Sequence, residues 1–394
     1  MRLTDFDTSS TGSLIRISGT DPRYGPWEHV AFVPHPLPDT TPTLSTRTFN
    51  AVARARAALA SLDSSAKRLP DPALLRRSTL TREAQSTSAL EGTYAPLQDV
   101  VAADEDEEQS NADLREVLNY VRVAEHAFEW VRDGRPLTLG LLVDLQARLV
   151  RGTSAETSSS GRIRDIQVVI GSGRGARVQD ARFIPRPPGP ELESQVRDWL
   201  AWVRRDPGDE FDPVVAAAMG HYQFETLHPF NDGNGRIGRL FVVLQMLQSG
   251  VLTEPSLTVS PWFEARRADY YDRLYAVSTS GSWDPWVHFF AEGLAASATS
   301  TAAQLEDLLA VQAELKSRVK AAGMRAETAM SLVDFSLARP IFTVRQVERR
   351  LGVGYVRANN LVAQLVEAKV LAQYDDSSYN RRFAAPDVLA IILR

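Results

Sequence analysis

The sequence predicts a mainly α fold, and three observations carry that prediction. Apolar residues recur at helical spacing through most of residues 45–321, and only residues 166–184 alternate as strands do. Beyond about residue 321 the order changes to helices followed by a hairpin. The chain has 394 residues, 44% of them hydrophobic and 24% charged, which is enough to bury a sizeable core and excludes global disorder. Cysteine is absent, so disulfides, thiolate zinc sites and cysteine nucleophiles are excluded, and any metal must sit on oxygen or imidazole ligands. No apolar run approaches the roughly 18 residues of a membrane helix, so a cytoplasmic protein without a membrane partner is expected.

Taken in order, residues 1–45 read as an extended strap, because Pro34, Pro36 and Pro38 alternate. Helices are expected over 45–69 and 74–90, broken near Pro70 and Pro72. The acidic run from Asp104 to Glu108 should be a solvated loop. Two more helices, 114–131 and 137–150, join through Asp133-Gly-Arg-Pro136. A hairpin follows, its turn at Gly171-Ser-Gly-Arg-Gly175 lacking both the βαβ context and the GK[ST] ending of a nucleotide loop. Helical spacing returns at 191–203, 213–227, 237–247 and 263–278. A Ser/Ala/Thr-rich stretch, 295–303, then leads into a connector helix ending near Ala321.

The C-terminal residues read as helices 321–339, 344–351 and 355–368, then a hairpin of 370–374 and 379–384 around Asp375-Asp-Ser-Ser378, with a short helix opened by Pro386. This order resembles a winged helix, with Tyr355, Arg357, Asn359 and Asn360 on the recognition helix and Arg381 and Arg382 on the wing. The formal net charge is −5. Residues 339–394 carry nine basic and five acidic side chains, a net +4, which leaves −9 on the rest; DNA is therefore one partner the module allows.

The chemistry concentrates in His228-Pro-Phe-Asn-Asp-Gly-Asn-Gly-Arg-Ile-Gly-Arg239. Asp212 and Pro213 start a helix that must end near Leu227, since Pro229 disfavours helical geometry at His228. A second helix with Ile237, Leu240, Phe241 and Leu244 on its apolar face follows, so a glycine-rich loop opens a helix. That is an anion site: Gly233, Asn234 and Gly235 admit the backbone closely, and unpaired amides point outward with the positive end of the dipole. Arg236 and Arg239, at i and i+3, add planar forks for phosphate oxygens. Asp232 can hold Mg2+ that also binds phosphates. A neutral His228 can take a proton from an incoming hydroxyl, whereas His221 reads as a packing residue.

The string from His228 to Arg239 resembles the Fic-domain signature at every fixed position, and the likeness extends over about residues 27–294, including AMGHYQFETLHPF, GRIRDIQVVIG and ADYYDRL. The resemblance implies a Fic-type helical bundle with a β-hairpin flap, plus the C-terminal winged helix-turn-helix. The expected division is an N-terminal arm and helices (1–110), a Fic core (111–294), a connector helix (295–322) and a winged-helix domain (323–394). It implies transfer of AMP from ATP to a hydroxyl of a target protein. His228 would be the base, Asp232 the magnesium ligand, Gly233 to Gly235 the phosphate cradle and Arg236 and Arg239 the clamps, with Ile237 and Gly238 in the same nucleotide-binding run. Tyr270 and Tyr271 would lie near adenosine. Val168, Val169, Ile170 and Gly171 would form the flap that aligns the target by strand pairing. Doc toxins, related kinases, carry lysine where this chain has Gly235, so glycine points to adenylyl transfer. Ser278 stands where relatives have asparagine, and Arg186 where a proline was expected.

Thr87-Ser-Ala-Leu-Glu91-Gly92 resembles the inhibitory motif of many Fic proteins. Glu91 paired with Arg239 would occupy the γ-phosphate fork, and two like charges about 4 Å apart cost about 4 kcal/mol at an effective dielectric of 20. The expectation is thus a self-inhibited adenylyltransferase acting on a Tyr, Ser or Thr of a target, itself included, with a homodimer also allowed. The alternatives are a nucleotide-sensing DNA-binding regulator and an enzyme that mainly removes AMP.

Overall fold

The computed structural model describes residues 1–21, 23–68, 72–103, 110–171, 177–205, 210–324, 327–375 and 381–394, and in the second helix the side chains from Arg76 onward. The acidic run 104–108, the turn residues 172–175 and residues 376–380 of the C-terminal hairpin lie outside the described residues.

The expected N-terminal strap is instead a hairpin of β1 (Gly12–Asp21) and β2 (Gly25–Pro34), paired antiparallel from Gly12 with Pro34 to Asp21 with Gly25. Half of β1 is exposed and half of β2 is only partly covered, so neither strand shows a clean apolar alternation that the sequence would announce. Phe32 anchors the hairpin: it is fully buried and its amide donates to the Ile184 carbonyl at 2.9 Å.

Helices follow as α1 (Thr46–Lys67), α2 (Pro72–Leu90), α3 (Leu97–Ala102), α4 (Ala112–Arg132), α5 (Leu139–Val150), α6 (Pro190–Arg204), α7 (Pro213–Leu227) and α8 (Asn234–Gln248). Then come α9 (Ser260–Glu264), α10 (Arg267–Ser280) and α11 (Trp283–Ala321). The single helix expected over 263–278 is broken at Ala265 and Arg266 into α9 and α10. The small residues at 295–303 do not interrupt α11, which runs unbroken for 39 residues. They let it approach the equally alanine-rich α1, with Ala55 and Ala298 both fully buried where the two helices pack.

The C-terminal part comprises α12 (Glu327–Ala338), β3 (Ile341–Thr343), α13 (Val344–Leu351), α14 (Tyr355–Glu367), β4 (Ala372–Gln373), β5 (Arg382–Ala384) and α15 (Pro386–Ile392). The helix expected over 321–339 is interrupted after α11, where Gly323 takes φ +77°. A third strand, β3, joins the expected hairpin to give the sheet order β3-β5-β4.

Helices α7 and α8 form the centre and are buried on nearly every face. On one side they pack with α4, α5 and α6 through Val121, Leu145, Trp199, Phe224 and Phe241. On the other, a core containing Leu59, Tyr270 and Trp286 continues without a gap to Leu332, Val362 and Ile391 of the C-terminal part. No helix among the described residues is long and apolar enough to cross a membrane.

Candidate active site

Backbone geometry builds the loop between α7 and α8. Asp212 caps α7 by accepting from the Val214 amide at 2.8 Å, and Pro213 fills the first turn. The helix ends with His228 in the left-handed region (φ 48°), a costly conformation for a residue with a Cβ, and one the surroundings must hold. Gly233 takes φ 86° as N-cap of α8, where a Cβ would press on Leu149. Asn234 staples the turn, accepting from the Phe230 amide at 2.9 Å and donating to the Phe230 carbonyl at 2.8 Å. Gln146 donates to the Asp232 carbonyl at 3.2 Å.

His228 Nδ1 lies 3.3 Å from the Glu225 carbonyl, which can only accept, so the ring proton sits on Nδ1 and Nε2 keeps its lone pair. Burial, and then the charge of Arg164, lower the imidazole pKa to about 4 against smaller upward pulls from the Glu225 carbonyl and Glu91. The ring is therefore neutral at physiological pH and equipped to accept a proton.

The two arginines do not share one face of function. Arg236, expected as a phosphate clamp, turns inward: Nη1 donates to Glu116 and Nη2 to Asp232 Oδ1 at 2.7 Å, with only 2% of the side chain exposed. Glu116 also accepts from Thr93 at 2.8 Å, so this buried pairing braces α8 against α4 and turns Arg236 away from the clamp expected of it in this conformation. Arg239 faces the anion position. Its Nε donates to Thr87 Oγ1 at 2.8 Å, and its Nη2 to the Thr87 carbonyl at 3.0 Å and to Glu91 Oε1 at 2.7 Å. Glu91 and Arg239, expected to pair, are thus in contact. Burial pushes the Glu91 carboxyl up, but Arg239, helped by Arg236 and His228, more than offsets it and holds Glu91 ionised. A Cβ on Gly235 would collide with Glu91 Oε1, so glycine makes room for the Glu91 carboxylate. Gly92, with φ 89°, turns the chain away after Glu91. Ile237 and Gly238 are buried in the first turns of α8, and a Cβ on Gly238 would strike Glu225.

Tyr270 is fully buried, hydrogen-bonded to His221 Nε2 at 2.7 Å and packed on Phe263, so in this conformation its ring is part of the core. His221, stacked on Trp286, has its pKa lowered by burial to about 3, which fits its reading as a packing residue. Tyr271 donates to the Leu90 carbonyl at 3.3 Å and so touches the end of α2. Ser278 is buried against the Tyr222 hydroxyl at 3.0 Å.

In the flap, Ile170 and Phe183 form one antiparallel bridge, the Ile170 amide donating at 2.9 Å. Val169 packs beside Ala31 and Ile184, while Ile170 packs beside Phe32 and Phe183. Val168 is half-buried, and Gly171 takes φ 89°. The expected hairpin is thus a single bridge leaning on β2, since a two-stranded ribbon needs such support.

Sequence reasoning missed Glu116, Gln146, Arg164 and Glu225. Each acts on the site through a contact distant in sequence or through burial, and none carries a local spacing signal. Glu225, three residues before His228, is raised by burial to a pKa of about 8, and its Oε1 has no hydrogen-bond partner among the described residues.

Residues 49–129 match the Fic/DOC family N-terminal model and residues 136–246 match the Fic/DOC family model. The chain is 34% identical over 139 residues to protein adenylyltransferase fic-1 of Caenorhabditis elegans, a match covering 35% of this chain and 24% of that protein. It is 27% identical over 179 residues to protein adenylyltransferase Fic of Nematostella vectensis, covering 45% of this chain and 36% of that protein. The match therefore spans only about a quarter to a third of these curated relatives. The crystal structure of a Fic family protein from Desulfovibrio desulfuricans superposes with a TM-score of 0.55 at 21% identity, covering 88% of this chain and 98% of that one, which shows a shared fold.

Proposed function

We propose that this chain, a Fic-domain protein with a Fic N-terminal region, transfers AMP from ATP to a hydroxyl of a target protein and is held off by its own Glu91. One observation carries the reading: a neutral imidazole at His228 adjoins a glycine-lined helix start whose outward cation, Arg239, is capped by Glu91. With Glu91 withdrawn, Arg239 and the α8 amides take the terminal phosphates. The acceptor oxygen attacks the α-phosphorus as its proton passes to His228 Nε2; the bond from the α-phosphorus to the bridging oxygen breaks, and pyrophosphate leaves.

Mg2+ would supply charge neutralisation on the phosphates when bound. No group of three or more His, Asp or Glu able to hold a metal occurs among the described residues. Asp232, one hard carboxylate 35% exposed at the cleft, suits an ion that takes its remaining ligands from phosphate and water.

The acceptor is a Tyr, Ser or Thr of a target that pairs its backbone with Val168 to Gly171, and the chain's own hydroxyls are available acceptors. The cysteine-free sequence fits the cytoplasm. We read the C-terminal part as a winged helix that contacts duplex DNA, since α14 presents Tyr355 and Val356, 47% and 73% exposed, beside Arg357, Arg345 and Arg381.

The test is labelled ATP with magnesium. The Glu91→Gly protein should label itself or co-expressed targets about tenfold or more above the unmodified protein, and His228→Ala in that background should abolish the signal. Equal labelling of Glu91→Gly and unmodified protein would remove the brake.

A further inference from the structure

Arg164 lies outside the catalytic loop, yet it is 2% exposed and every arm of its side chain is committed. Its Nε donates to the His228 carbonyl at 2.8 Å, Nη1 to the Ile166 carbonyl at 3.1 Å, and Nη2 to the Arg186 carbonyl. Its own amide donates to the Pro229 carbonyl at 2.9 Å. One guanidinium thus binds the strained backbone of the base and the outer ends of both flap segments. Among the described residues no carboxylate pairs with it, and burial lowers its pKa to about 10, so its charge acts on its neighbours.

Resting on the adenylyl-transfer reading, we propose that Arg164 is the positioning residue that fixes His228 relative to the flap, and so sets the distance from base to acceptor hydroxyl. The three carbonyls it gathers belong to the two surfaces, base and target clamp, whose separation the reaction must hold to within about 1 Å, and misplacement on that scale costs on the order of 10²-fold. Its cation also faces the imidazole and disfavours a second positive charge there. Arg164 and Glu91 are the charged side chains whose fields shift His228, and they act in opposite directions.

Arg164→Met and Arg164→Lys, made in the full-length Glu91→Gly protein, test this. For Arg164→Met, we expect unchanged ATP affinity by calorimetry, a fall of roughly 30-fold or more in the single-turnover labelling rate, and an acid limb displaced to higher pH. Arg164→Lys should keep the limb in place while losing rate, because it restores charge without the fork. NMR titration of the His228 ring reports the same upward shift without any turnover. Should the parent Glu91→Gly protein not label at all, the transfer reading fails, and this titration still decides for or against Arg164. An unmoved imidazole pKa, or a rate loss that merely follows lost ATP binding, overturns the proposal; if Arg164→Met does not fold, the lysine variant decides by its rate at unchanged affinity.

The brake helix is also gripped from outside the Fic core. Helix α2 is buried around its circumference although rich in Ser and Thr, from Ser78 to Leu90. Glu83 accepts from the Ser260 amide at 2.9 Å, and Arg76 meets Glu254 at 2.9 Å. On its remaining side α12 and α15 pack directly on it, and Arg82 reaches the Ile392 carbonyl at 3.4 Å. We infer that docking of the C-terminal part latches α2, and with it Glu91, onto Arg239. Arg82→Glu, which sets a carboxylate against carbonyls at the end of α15, should raise labelling of the full chain at least about fivefold, the lower end of ordinary coupling. It should also speed hydrogen exchange in residues 85–91 and add nothing to Glu91→Gly. Where Glu91→Gly labels, faster exchange without added labelling by Arg82→Glu, or a gain on top of Glu91→Gly, contradicts the latch; where Glu91→Gly never labels, unchanged exchange in residues 85–91 contradicts it.

Discussion

The catalytic loop and the flap are neighbours built to opposite specifications. Residues 228–239 are tied at both ends, stapled by Asn234 and buried from Gly233 onward. The flap has one bridge of its own and borrows the rest of its support from β2 and Arg164. On the proposed adenylyl-transfer reading, the difference teaches where each kind of precision is needed. A triphosphate is an invariant ligand, so its cradle can be rigid and pre-formed. A protein target varies in side chains but not in backbone, so an exposed edge that pairs main chain to main chain suffices.

The contrast breaks first at the base. His228→Ala in the Glu91→Gly background should lower the labelling rate by about 10²- to 10⁴-fold, measured by single turnover. Next, Asn234→Ala leaves the Phe230 amide and carbonyl unpaired in a buried turn. It should cost about 1–3 kcal/mol by urea titration, with a parallel loss of ATP affinity by calorimetry. A flap variant should behave differently: Ile170→Pro removes the amide that donates to Phe183, and should raise KM for a protein target several-fold while leaving ATP affinity alone. The released protein should keep its rate down to mildly acidic pH and lose it only as pH falls below about 4, because burial and Arg164 keep the base neutral and loss of Glu91 removes an upward pull.

The smallest effect should be at Glu225. Its folded pKa, about 8, lies above the unfolded value, so its contribution is intact below about pH 4.5 and is progressively lost as pH rises toward 8. Glu225→Gln should therefore raise the thermal midpoint, and more at pH 8 than at pH 5.

The loop was legible because its residues are local: twelve consecutive residues hold the proposed cradle, base and fork. The Glu91–Arg239 pair was also legible, although 148 residues separate its members, because each belongs to a recognisable string. What stayed hidden is long-range or conformational. Arg236 has the same spacing as a clamp, but the buried Glu116 claims it, and no pattern announces a partner 120 residues away. Tyr270 and Tyr271 are adjacent and chemically identical, and only packing separates a core ring from one that touches α2. The β1–β2 hairpin escaped notice because its strands are only partly covered and bury residues such as Ala31 and Phe32 without a regular apolar alternation.

The account turns on which phosphorus of ATP becomes bonded to protein. The Glu91→Gly protein should be incubated with ATP carrying label at the α-phosphate or, in parallel, at the γ-phosphate. Retention of the α-label with release of pyrophosphate is the expected result. Retention of the γ-label, or of neither, would contradict adenylyl transfer at this site.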